Sequence, residues 1–118
     1  MIYVAIGGAI GSLFRYLISL ITINSKFPFS TFVVNIIGCL LIGIFFTLGN
    51  NSLSNNLNLL LKTGFCGGFT TFSTFSLESL TLLKNGNYLI GGLYIVSSII
   101  LGIIFVLLGI IIGKYIKI

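Results

Sequence analysis

Apolar residues run along this chain in four long stretches separated by short polar interruptions. The first, from about Ile2 to Ile23, gives way to Asn24-Ser25-Lys26-Phe27-Pro28. At ~1.5 Å of rise per residue it makes a helix of about 33 Å, enough to cross a hydrocarbon core of roughly 30 Å. The second runs from about 31 to 48 and stops at Gly49-Asn50-Asn51-Ser52. The third, from about 57 to 83, is longer than one crossing needs, and Lys84-Asn85-Gly86-Asn87 closes it. The fourth, from about 88 to 113, ends on Lys114 and Lys117. The pattern predicts one four-helix transmembrane domain over residues 1–118, with spans at 2–23, 31–48, 57–83 and 88–113. Short loops make consecutive helices antiparallel neighbours.

Composition agrees with lipid as the solvent. Of 118 residues 57% are hydrophobic and 6% charged, with a mean hydropathy of +1.23. A soluble domain of this size has too little interior for that much apolar surface. The first stretch lacks a preceding basic region and a small-residue cleavage site, so a retained span is expected. Histidine is absent and Glu78 is the one acidic residue. Paired-carboxylate catalysis, histidine proton shuttling and a carboxylate or imidazole metal cage are excluded by inventory, and no enzyme is expected. Cys39 and Cys66 read as small buried hydrophobes.

The net charge of +5 comes from Arg15, Lys26, Lys62, Lys84, Lys114 and Lys117. They are scattered singly, which argues against a nucleic-acid partner. With four spans both termini share a side, carrying Lys114, Lys117 and Lys62 against Lys26, Lys84 and Arg15. Basic residues in cytoplasmic loops set orientation, and three against three gives almost no bias. That suggests insertion in both orientations and an antiparallel pair, unless a partner chain imposes one orientation. Small residues suit close helix approach in lipid: Gly7 and Gly11 in the first span, Gly38 and Gly43 in the second, Gly109 and Gly113 in the fourth. A glycine-knit bundle that oligomerises is expected.

The polar groups concentrate in the third span, in Gly64-Phe65-Cys66-Gly67-Gly68-Phe69-Thr70-Thr71-Phe72-Ser73-Thr74-Phe75-Ser76-Leu77-Glu78-Ser79. If helical past Gly68, Thr71, Thr74, Glu78 and Thr81 form one polar stripe, with Phe72, Ser76 and Ser79 on a second face and Phe75 between them. Hydroxyls can instead bond back to their own helix. Asn35, inside the second span, is either a helix–helix hydrogen-bonding device or part of a polar pathway. Arg15 is deep for a guanidinium; it snorkels or holds carbonyls, and a structural role is favoured. A break at Gly67-Gly68 would survive only if buried or lining a cavity. Its freed carbonyls suit a hard monovalent cation, its amides and hydroxyls an anion. Phenyl ring edges, positive in their quadrupole, suit a small anion too.

Together these residues resemble the Fluc (CrcB) family of fluoride channels. The matching motifs are Gly7-Gly8-xx-Gly11-xxx-Arg15-Tyr16, Val34-Asn35-xx-Gly38, and the run from Gly67 to Ser76, which is the most specific. The resemblance implies an all-α fold with the third helix broken mid-membrane, and an antiparallel dual-topology dimer with two pores. It implies passive, selective fluoride export across the cell inner (plasma) membrane. By motif position Phe72 and Phe75 would be the pore phenylalanines and Asn35 the pore asparagine, with hydroxyls from Ser73 and Thr74. Tyr94, Ser98 and Glu78 resemble the family's polar track. Backbone carbonyls of Gly67 and Thr70, from both subunits, would hold a structural sodium ion that is not transported. Arg15, Gly7 and Gly11 would be structural or dimer residues. Ser30, Cys39 and Gly102 depart from common family residues, which suggests a shorter polar track. Near-balanced lysines favour a homodimer over a paired paralogous subunit. The competing readings are a small multidrug-type proton-coupled exporter, which wants a first-span carboxylate and tryptophan, both missing here, and a non-conducting assembly subunit.

Overall fold

A computed structural model describes residues 1–21, 26–51 and 54–116, and the expectations for Ile23 and Lys117 lie outside them. Among the described residues every regular element is helical. Helix α1 covers Ile2–Ser19. Pro28 stops the incoming chain from being helical before it, and its carbonyl accepts from Phe32 N–H at 3.1 Å to start α2, Phe29–Asn51. The Ser54 hydroxyl caps the next helix by accepting from Leu57 N–H at 3.3 Å. That region is composite: α3 (Asn55–Asn58), a π-helical stretch (Leu59–Cys66) and a last α-turn, α4 (Gly67–Phe69). Thr70 and Thr71 are extended, and α5 then covers Phe72–Lys84. Gly86, at φ +81°, makes the left-handed turn into α6, Tyr88–Tyr115.

Among the described residues three helices are long and apolar enough to cross a membrane: α1, α2 over Phe29–Gly49, and α6. The expected third span is not one helix, because it is interrupted after Phe69. At 28 residues α6 is about 42 Å long, most of the molecule's 48 Å long axis. Large apolar side chains of α1 and α6, such as Leu13, Leu17, Ile99 and Leu107, point away from the rest of the chain. In water that would be an aggregation surface; in lipid it is the solvated face.

Without hydrophobic expulsion between helices, close backbone approach holds them together. On α2 and α6, a Cβ at Gly43 would strike the carbonyl of Val106 and come within 3.0 Å of Gly109 Cα. A Cβ at Gly109 would strike the carbonyl of Leu40. Thr47 fills the notch at Gly113, donating to Gly43 O at 3.1 Å. The second seam joins α1 to the π-helical stretch: Gly7 and Gly11 leave no room for a Cβ against the backbone of Leu60 and Phe65. The glycine-knit packing expected from the sequence is present, and Gly7 and Gly11 make it within the chain.

Two expectations need correction. The interruption falls at Thr70–Thr71, three residues beyond Gly67-Gly68, because both glycines are helical. Gly68 instead lets α1 approach, since a Cβ there would lie 3.0 Å from Gly8 Cα. Helix α2 also runs past the expected stop at residue 48. Asn58 packs in the space beside Gly49 and donates to its carbonyl at 3.4 Å, which supports the last turn.

Candidate functional site

An interruption in a buried helix strands backbone groups, and their partners define this site. The Thr71 N–H, which an unbroken helix would aim at Gly67 O, donates to Asn35 Oδ1 at 2.9 Å. Asn35 Nδ2 donates in return to Thr71 O at 3.2 Å. One amide side chain from α2 therefore satisfies both backbone groups of an extended residue, as a neighbouring β-strand would. The Thr74 N–H, owed to Thr70 O in a helix, donates to Thr71 Oγ1 at 3.2 Å and makes Thr71 the N-cap of α5. Arg15 Nε donates to Gly68 O at 3.3 Å, so the guanidinium holds a carbonyl of the same chain.

These substitutions leave the carbonyls of Gly67 and Thr70 without their ordinary helical donors. Both residues line an open groove of about 510 Å³, with Asn35, Phe72, Phe75 and Ser98. Gly67 is exposed there, and nothing lies within 4 Å of where its Cβ would be. Thr71 also lines a second cavity, of about 70 Å³, with Arg15, Ser19, Ser30, Thr31 and Thr74. The Asn35–Thr71 pair thus stands between a large groove and a small polar hollow.

The aromatic residues continue the groove. Phe72 and Phe75 have ring centroids 5.9 Å apart, and Phe75 stands 5.1 Å from Tyr94. Phe27 closes on Tyr94 edge-on at 5.4 Å. The Phe72 side chain is 79% exposed, so its own chain leaves the ring almost bare. Tyr94 is fully buried, yet its hydroxyl has no hydrogen-bond partner among the described residues, and neither has Ser98 Oγ. Thr31 and Glu78 are near the Tyr94 hydroxyl without completing a bond to it. Thr31 itself donates to Glu78 Oε1 at 2.5 Å.

The residues singled out from sequence therefore fall into separate groups. Asn35, Phe72, Phe75 and Ser98 share the groove with Gly67 and Thr70. Thr74 and Arg15 face the small cavity. Glu78 and Tyr94 gather around Thr31. Ser73 is exposed, lines neither cavity, and has its hydroxyl 3.5 Å from Thr71 Oγ1. The polar stripe is shorter than expected: Thr71 lies outside the helix, and Thr81 bonds back to Leu77 O at 2.8 Å. Ser79 does the same to Phe75 O at 2.7 Å. Thr31 was not foreseen, although it lies four residues before Asn35 and so on the same face of α2. Lys62 lines the far part of the groove, a place that its isolation in the sequence does not reveal.

Irregular backbone sheltered in protein, flanked by helices coated with apolar side chains, defines a helical multi-pass membrane protein built around an intramembrane polar site. Comparison with known proteins supplies the family. Residues 2–110 match the family described as "CrcB-like protein, Camphor Resistance (CrcB)", and the chain belongs to it. A relative from Phocaeicola vulgatus named "Fluoride-specific ion channel FluC" is 48% identical over 114 residues, which are 93% of this chain and 94% of the relative. One from Azobacteroides pseudotrichonymphae with the same name is 49% identical over 117 residues, 95% of this chain and 94% of its own. A third, from Bacteroides fragilis, is 48% identical over 125 aligned positions covering 99% and 98%. These relatives are named as channels, not enzymes.

Proposed function

We propose that this chain is a fluoride-specific channel that lets fluoride leave the cell passively and so lowers its cytoplasmic concentration. The observation that carries the reading is the groove at the interruption, which Phe72, Phe75, Asn35 and Ser98 line together, beside near full-length kinship to proteins of that name. Fluoride is small and strongly hydrated, and it loses its water shell only where N–H, O–H and polarised C–H groups replace it. Asn35 keeps one amide hydrogen beyond its bond to Thr71 O. The hydroxyls of Tyr94, Ser73 and Thr74 would extend this donor set beyond the groove, with Glu78, which accepts from Thr31, beside them.

The functional unit is an antiparallel, dual-topology homodimer in the cell's inner membrane, with two pores along the interface. Each copy crosses four times, the third crossing being the composite segment from Asn55 to Lys84. A Phe72 ring left 79% bare by its own chain and a groove open on one side are reasons to expect a second copy there. A structural sodium ion fits the donor chemistry. Gly67 and Thr70 offer neutral carbonyl oxygens released from helical bonding, the ligand type a hard monovalent cation takes. Among the described residues no group of three or more His, Cys, Asp or Glu competes as a cage for a harder-charged metal. Two carbonyls from one copy make half a shell, and the same pair from its partner would complete it.

Reconstituted in liposomes, the protein should release fluoride rapidly and chloride hardly at all. Vesicles that retain fluoride as long as protein-free ones would refute the channel reading and favour a non-conducting subunit. Loss of transport in Glu78→Gln with full transport in Phe72→Ile would favour the exporter.

A further inference from the structure

The groove has a cationic end. Three contacts fix how it runs: Lys62 lies under α2 at Phe46, Thr70 packs at Gly38, and Thr71 pairs with Asn35. The groove therefore extends from Lys62 to the interruption, over eight residues, or about 12 Å at helical rise. The Lys62 ammonium is half-buried and held 5.4 Å from the centre of the Phe46 ring, a cation–π contact that fixes its place without neutralising it. The chain's one acidic side chain, Glu78, is engaged by Thr31 and does not line the groove. A net charge unpaired by carboxylate, in a low-dielectric furrow leading to the interruption, focuses its field along that furrow.

We propose that Lys62 is the anion-recruiting residue of this groove: it raises the local concentration of the permeating anion at the groove's cationic end and sets the rate of entry, without touching the ion at the interruption. The inference rests on the channel reading above and deepens it. In an antiparallel pair the two copies of Lys62 would serve opposite mouths, so both directions of flow would feel it.

A charge acting over about 12 Å is sensitive to salt, whereas a packing role is not. The screening length is about 30 Å at 0.01 M and about 3 Å at 1 M ionic strength. Fluoride efflux from liposomes should be measured for wild type, Lys62→Gln and Lys62→Arg at both ionic strengths, using a large impermeant anion and constant fluoride. At low ionic strength K62Q should be slower than wild type by about three- to tenfold, and the two should converge at high ionic strength. K62R should stay within about twofold of wild type throughout. K62Q equal to wild type at low ionic strength overturns the proposal. So does an equal slowing at both ionic strengths, which marks an effect on packing or insertion. K62R as slow as K62Q overturns it as well. A wild type that passes no fluoride removes the channel reading and this inference together; a conducting wild type beside an unaltered K62Q removes this inference alone.

Discussion

Replacing Asn35 with alanine tests the central structural element directly. The amide makes two hydrogen bonds to one backbone residue, at 2.9 and 3.2 Å, and no neighbouring strand or helix stands ready to replace it. Removing it strands the Thr71 N–H and C=O at a half-buried position. Intramembrane hydrogen bonds are worth about 0.6–2 kcal/mol each, and an orphaned buried backbone group costs about 1–3 kcal/mol. Water entering the groove would relieve part of that, so a loss of about 2–4 kcal/mol is expected for the pair. For a chain of this length that lowers Tm on the order of 10 °C. The chain has no tryptophan, so circular dichroism or size-exclusion after heating is the suitable readout in detergent. Amide hydrogen exchange should accelerate at Thr71 and Thr74, whose donors depend on the pairing and on the cap it positions. Asn35→Asp gives an internal control. A protonated carboxyl presents the same donor and acceptor as the amide, whereas the ionised one has no donor for Thr71 O. Its stability should approach wild type in acid and fall towards that of Asn35→Ala as pH rises. An Asn35→Ala protein with Tm within about 2 °C of wild type and unchanged Thr71 exchange would refute the splint.

Other substitutions address neighbouring parts of the argument. Phe75→Ile removes an aromatic ring that lines the groove and stands 5.1 Å from Tyr94 while keeping apolar bulk; if the channel reading holds, fluoride efflux should be lost with the elution volume of the wild type retained, and unchanged efflux would remove the ring's role. Gly109→Ala must push the Gly43 and Leu40 backbone aside, whereas Gly92→Ala meets nothing within 4 Å. The first should lose about 1–3 kcal/mol by thermal melt and the second should be neutral or slightly stabilised. If the sodium proposal holds, melts in sodium should exceed those in a large organic cation. Equal melts in both cations would count against the ion.

What could be read from the chain beforehand divides along physical lines. Lipid imposes a uniform demand, a long run of apolar residues with backbone bonds closed internally, so the places of α1, α2 and α6 follow from hydropathy alone. The π-helical stretch does not, because nothing in Leu59–Cys66 favours π over α geometry locally. Its setting is tertiary: Gly7, Gly11 and Gly68 bring two backbones so close that the register of the wound segment is decided by its neighbour. The interruption shows the same competition. Gly67-Gly68 carries the stronger local signal, yet the chain yields at two β-branched threonines. Threonine adopts extended backbone readily, and Asn35 with the Thr71 hydroxyl supplies the bonds an extended residue needs. Glycine at 67 and 68 is needed for access and contact instead.

The same logic explains why the candidate site residues were partly visible and partly hidden. Asn35 is conspicuous in a hydrocarbon segment, whereas Phe72, Phe75 and Ser98 are marked only by the family resemblance; all four line the groove. Thr31 is unremarkable until Glu78 is found across from it on α5, because its significance is a distance between helices. Lys62 resembled the other isolated basic residues, and its position under Phe46 separates it from them. A polar atom in lipid needs a partner, so it announces that an interaction exists. Which partner it takes depends on helix register, and register here is set by glycine seams on the opposite side of the third segment. A bulky residue at Gly11, which touches no groove residue, should therefore displace Phe69 and move Thr70 and Thr71 away from Asn35, impairing transport at a distance. If Gly11→Val left efflux and Thr71 exchange untouched, the coupling between seam and groove would be disproved.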